Sequence, residues 1–113
     1  MYTMIDPKII IAEFIGTFLL ITAILVTGNP IYITAAFLAA ITMAGKFSGG
    51  HINPAVTLTM WLNKSIQTSE AALYILPQIV GAVAAFYLWK YVINSRKISG
   101  TGPLLKPVVS PVY

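Results

Sequence analysis

The residues able to do chemistry are few, and the densest group is the run Ser48-Gly49-Gly50-His51-Ile52-Asn53-Pro54-Ala55-Val56-Thr57-Leu58, which occurs once. Gly49 and Gly50 supply a tight, permissive backbone. Asn53 is a strong helix N-cap, and Pro54 follows at the first helical position, where a missing N–H costs nothing. A helix is therefore expected to start at Pro54. The surroundings are almost wholly apolar, so this helix end is expected inside a membrane. There, non-helical backbone survives only when packed in protein or lining a wet cavity. Two further polar residues interrupt apolar runs: Glu13 and Gln78. A carboxylate at bilayer depth is expensive and marks a proton or cation relay, or else a brace that accepts hydrogen bonds. His51 could titrate near neutral pH, although a lone histidine more commonly serves as a hydrogen-bonded loop element. With no cysteine or carboxylate beside it, it makes no zinc site. No cofactor is called for. Ser48 and His51 lack an orienting acid, so no activated nucleophile and no enzyme constellation are visible.

The elements that must position these residues follow from composition. Of 113 residues, 58% are hydrophobic and 9% charged, whereas a soluble domain carries about 25% charged residues. The chain reads as one integral membrane unit. With no cysteine, disulfides and thiolate chemistry are excluded. The net charge of +4 does not indicate nucleic acid, because the basic residues stand singly at segment ends. The first apolar segment is no signal peptide by pattern: it is long, contains Glu13 and lacks a basic start.

Asp6 and Pro7 predict a helix start, and residues 8–27 make a first span matched to a bilayer core of about 30 Å. Gly28-Asn29-Pro30 breaks it. A second, short apolar run covers 31–45. Residues 46–53 form a loop, 54–63 a half-helix, and 64–69 a polar stretch. Thr68 or Ser69 is expected to cap a third span over 70–92, bent at Pro77. Gly16, Gly81 and Ala85 are small residues suited to close helix crossings. Residues 1–93 are thus read as one membrane unit. Residues 94–113, with Pro103, Pro107 and Pro111, are read as a disordered tail.

The run SGGHINPAVTL resembles the first signature loop of the aquaporin and aquaglyceroporin family. Ala12-Glu13-Phe14-Ile15-Gly16-Thr17-Phe18 is similar to that family's first helix. Ala71-Ala72-Leu73-Tyr74-Ile75 through Gln78-Ile79-Val80-Gly81-Ala82 is similar to its third. The resemblance covers about residues 8–92 and implies an all-α membrane fold of three spans plus one re-entrant half-helix, half of the family's inverted repeat. It implies a channel for water or small neutral solutes such as glycerol. Gly50, His51, Asn53, Pro54, Ala55 and Val56 would line the pore, with Glu13 and Gln78 bracing the loop. The Asn53 amide would donate to a passing oxygen, and the half-helix dipole beside it would repel cations.

Two departures matter. The family carries two such halves and this sequence holds one, so the expected partner within the bilayer is a second, oppositely inserted copy. Lys8, Lys46 and Lys64 fall on one side, and Lys90, Arg96, Lys97 and Lys106 on the other, which gives almost no orienting bias. The family groups its pores in fours, which would take four such dimers. Secondly, the family's second signature places Arg where Val56 stands. Its absence would leave a wider, more apolar pore, a poorly conducting one, or one whose charge comes from His51 or Lys46. The alternatives are a non-conducting interaction or regulatory protein related to aquaporins, a small exporter using Glu13 as relay, and a truncated product.

Overall fold

Asp6 starts the first helix: its side chain accepts from the backbone N–H of Lys8 at 2.9 Å, and Pro7 takes the first turn. Helix α1, Pro7–Thr27, runs 21 residues, roughly 31 Å at 1.5 Å per residue. Gly28 ends it in the left-handed region (φ 54°), returning its N–H to Ile24. Asn29 then caps α2, Pro30–Ala44. The described part of this computed structural model is residues 5–94, and the expected tail lies almost wholly outside it. Helix α3 is Pro54–Leu62, and α4 is Thr68–Leu88, continued by a π-helical turn, Trp89–Ile93.

The described residues contain helices and no strand. α1 and the α4 continuation are long and apolar enough to cross a membrane, whereas α2 has 15 residues. The expected boundaries shift by one or two residues at most, except at α4. Neither Thr68 nor Ser69 caps that helix. Gln67 does, in a capping box where Glu70 Oε1 accepts from the Gln67 N–H at 3.2 Å. The reciprocal pairing satisfies two orphan donors, which one hydroxyl could not.

α1 and α2 pack antiparallel. Ala12 and Ala44 share a buried cluster with Ala40 and Ile52, and Gly16 faces Ala40 further along. α1 and α4 run parallel: Ile10 and Ile11 lie beside Leu73, Glu13 bonds Gln78, and Gly81 sits against Phe14 and Phe18. A Cβ on Gly81 would stand 2.7 Å from the Phe14 carbonyl oxygen, so only glycine allows this approach. The starts of α1 and α4 and the end of α2 therefore share one end of the molecule. Lys8, Lys46 and Lys64 belong to that end, and Lys90 to the other.

Burial is inverted relative to a water-soluble domain. Glu13, Thr17, His51, Thr57 and Gln78 are buried, while Ile31, Leu38, Leu62 and Leu76 are each more than 60% exposed. Polar groups inside and large apolar groups outside suit a hydrocarbon solvent.

Candidate functional site

The segment between α2 and α3 turns into the middle of the molecule. Ile52 packs on Gly16, the tenth of the 21 residues of α1. Thr57, in the second turn of α3, meets Gln78, the eleventh of the 21 residues of α4. α3 then leads back to the end from which the loop came, where Trp61 Nε1 donates to Thr68 Oγ1 at 2.9 Å.

Glu13 organises the turn. Its side chain is fully buried. Oε2 accepts from Ser48 Oγ at 2.7 Å and from the His51 N–H at 3.1 Å. Oε1 accepts from the Ile52 N–H at 2.8 Å and from Gln78 Nε2 at 2.9 Å. A carboxylate offers about four lone-pair positions, and four donors meet it here. Gln78 Nε2 also reaches Thr57 Oγ1 at 3.2 Å, so its amide nitrogen ties α1 to α3. His51 Nδ1 lies 2.8 Å from the same Thr57 oxygen. The His51 ring is buried and stacked on Tyr74 at 3.9 Å between centroids. Its imidazole is thus held between Thr57 and Tyr74. Lys46 is exposed at the end of the molecule, away from Asn53.

Two loop residues occupy the left-handed region, Gly50 (φ 64°) and Ile52 (φ 57°). Glycine pays nothing there. A β-branched isoleucine does so only where its surroundings hold it. The Glu13 bond to its N–H and its seat against Gly16 and Ala40 provide that hold.

Asn53 is exposed and extended, and its Oδ1 accepts from the Ala55 N–H at 2.7 Å. Its amide nitrogen has no hydrogen bond among the described residues. Pro54 and Ala55 are also exposed, and Val56 is half-buried.

The backbone of the loop is asymmetric. Every N–H from Lys46 to Ile52 has an acceptor: Met43 and Ala44 carbonyls, Tyr74 Oη, Ser48 Oγ or Glu13. No carbonyl from Lys46 to Ile52 accepts a hydrogen bond among the described residues. Sequence reasoning missed Ser48, Thr57 and Tyr74 as parts of this arrangement. Thr57 carried one available signal, since it lies one helical turn beyond Asn53, on the same face.

Long apolar helices closed around a buried polar core define a helical integral membrane protein. The chain belongs to the major intrinsic protein family, whose family model matches residues 3–112. It is 39% identical over 100 residues to glycerol uptake facilitator protein-like 6 of Lactiplantibacillus plantarum, covering 80% of this chain and 46% of the relative. It is 36% identical over 89 residues to aquaglyceroporin-2 of Rhizophagus irregularis (66% of this chain, 28% of the relative). Identity to aquaporin TIP2-3 of Zea mays is 36% over 67 residues (59% and 27%). The chain thus spans about half the length of the first of these relatives and less of the others. No solved structure gives a significant match.

Proposed function

We propose that the chain is half of a passive membrane channel for water and small neutral solutes such as glycerol. Residues 1–93 form one multi-pass membrane unit, with α1, α2 and α4 as three spans and α3 as a re-entrant half-helix. The observation that carries the reading is the donor–acceptor asymmetry of residues 46–52. Their N–H groups are spent inside the protein, and their carbonyl oxygens have no partner among the described residues. In a bilayer, unpaired carbonyls cost several kcal/mol each, on the order of the desolvation penalty, unless water or a hydroxylated solute meets them. A row of acceptors beside the Asn53 amide donor replaces the hydration of a neutral polar solute along its path.

Gly50, the His51 backbone, Asn53, Pro54, Ala55 and Val56 line this path, and Glu13 and Gln78 brace it. The exposed start of α3 leaves the path open on one side. A second copy inserted in the opposite sense closes it, with the two Asn53 amides meeting near the two-fold axis. Four such dimers complete the larger assembly. Val56 leaves the path without a charged constriction, which favours solutes larger than water. The names of the relatives, which speak of glycerol uptake and of aquaglyceroporins, support the solute class.

The chain contains no cysteine, so one introduced cysteine reports on the pairing. Ala55→Cys in membranes is expected to cross-link copy to copy with a short bifunctional reagent. Labelling of a cysteine placed beside Lys64 is expected from both sides of the membrane. Labelling from one side only, with no cross-link, would contradict the antiparallel pair.

A further inference from the structure

Six of the seven loop N–H groups from Lys46 to Ile52 are held by α1, by the end of α2 or by the loop itself. The seventh, that of Gly49, is held by α4. It donates to Tyr74 Oη at 2.7 Å. The same tyrosine is 4% exposed and lies flat against His51, at 3.9 Å between centroids and 17° between planes. A Cβ built on Gly49 would stand 2.9 Å from Tyr74 Oη and 2.8 Å from His51 Nε2. The Gly49 backbone is therefore seated against both rings, with no room to move inward.

We infer that Tyr74 is a positioning residue for solute selectivity, acting through the Gly49-Gly50 backbone. This role rests on the channel reading above. Glu13 fixes the loop from His51 onward, and the α2 terminus fixes it up to Ser48. Between them stand two glycines, the most permissive backbone in the chain. Among the described residues, the hydrogen bond from α4 that restrains this pair is the one to the tyrosine hydroxyl. Because Tyr74 Oη accepts from Gly49, it sets the plane of the Ser48–Gly49 peptide and the start of the Gly49–Gly50 peptide. The carbonyls of those peptides belong to the unpaired acceptor row. A solute with several hydroxyls must meet several acceptors at once, whereas water adapts to one or two. Loss of the anchor therefore penalises the larger solute more.

The test is Tyr74→Phe, which removes the hydroxyl and keeps the ring against His51. Purified wild type and Y74F are reconstituted at equal folded amount. Stopped-flow light scattering then gives water and glycerol permeabilities, and hydrogen–deuterium exchange follows the peptide covering residues 45–53. The expected result is faster exchange in that peptide and a glycerol-to-water ratio about threefold to tenfold lower, the scale of one lost hydrogen bond. Water permeability is expected within about twofold of wild type on the same scale. Asn53→Ala serves as the control for a pore. A conducting wild type whose ratio is unchanged in Y74F would overturn the role of Tyr74 alone. So would a proportional fall of both permeabilities at equal folded amount. A wild type no more permeable than empty liposomes would overturn the channel reading and the selectivity role together.

Discussion

The dipeptide Asn-Pro occurs twice in this chain, at Asn29-Pro30 and at Asn53-Pro54, and the two copies are built alike. Each asparagine is extended and caps the helix that its proline begins, Asn29 Oδ1 accepting from Ile31 at 2.8 Å and Asn53 Oδ1 from Ala55 at 2.7 Å. Each is preceded by a residue in the left-handed region, Gly28 at φ 54° and Ile52 at φ 57°. What differs is everything beyond the local turn. At the first copy a glycine takes the special backbone, and the turn joins two antiparallel helices at the end of the molecule. At the second a buried isoleucine takes it, forced there by Glu13 and by the helices around it. Short-range chemistry makes the cap in both places. Long-range packing converts one of them into a polar site in the middle of the molecule.

Removing the long-range hold should have the largest effect. Glu13→Ala strands two buried backbone N–H groups, the Ser48 hydroxyl and the Gln78 amide. Destabilisation of about 4 kcal/mol or more is expected, with most of the protein lost on detergent extraction. Thermal unfolding monitored by circular dichroism checks this. Glu13→Gln separates brace from relay: the brace predicts a fall in stability along with transport, whereas a relay would lose transport with assembly intact. Next comes Gly81→Val, which puts a branched side chain where the Phe14 carbonyl stands 2.7 Å from a bare Cβ. A cost of about 3 kcal/mol is expected from forcing α1 and α4 apart, read by the same melt.

A smaller effect sharpens the comparison between the two turns. In most buried sites Gly is worse than Ala. At position 52 the order should reverse, because glycine takes a positive φ without strain. Ile52→Ala is expected to lose about 2 kcal/mol of packing, and Ile52→Gly about 1 kcal/mol less than that. At Gly28, where glycine already stands, Gly28→Ala should cost about 1 kcal/mol. Melting temperatures of the three variants decide the order.

Much of this fold is legible in the sequence because caps and apolar runs are local. Asp6-Pro7, Asn29-Pro30 and Asn53-Pro54 fix three helix starts. Gln67 escapes notice because Thr68 and Ser69 are the more familiar caps, and only Glu70 three residues on betrays the box. Glu13 and Gln78 stand out as polar residues in apolar runs, but the identity of the groups meeting them depends on partners 21 to 65 positions away. Tyr74 carries no local signal at all: a tyrosine in an apolar helix resembles any core aromatic until Gly49 is brought against it. The left-handed Ile52 is likewise invisible, since isoleucine argues against that backbone.

A substitution with one of the smaller expected effects on stability is the most informative for function. Asn29→Ala and Asn53→Ala each remove one cap, at a cost of about 1 kcal/mol. The decisive measurement is stopped-flow osmotic response of proteoliposomes, with water and with glycerol, for wild type and these two variants at equal folded amount. The account predicts that wild type and Asn29→Ala conduct alike, while Asn53→Ala falls to near the rate of empty liposomes. Equal rates for both variants, or a wild type indistinguishable from empty liposomes, would contradict a path centred on Asn53.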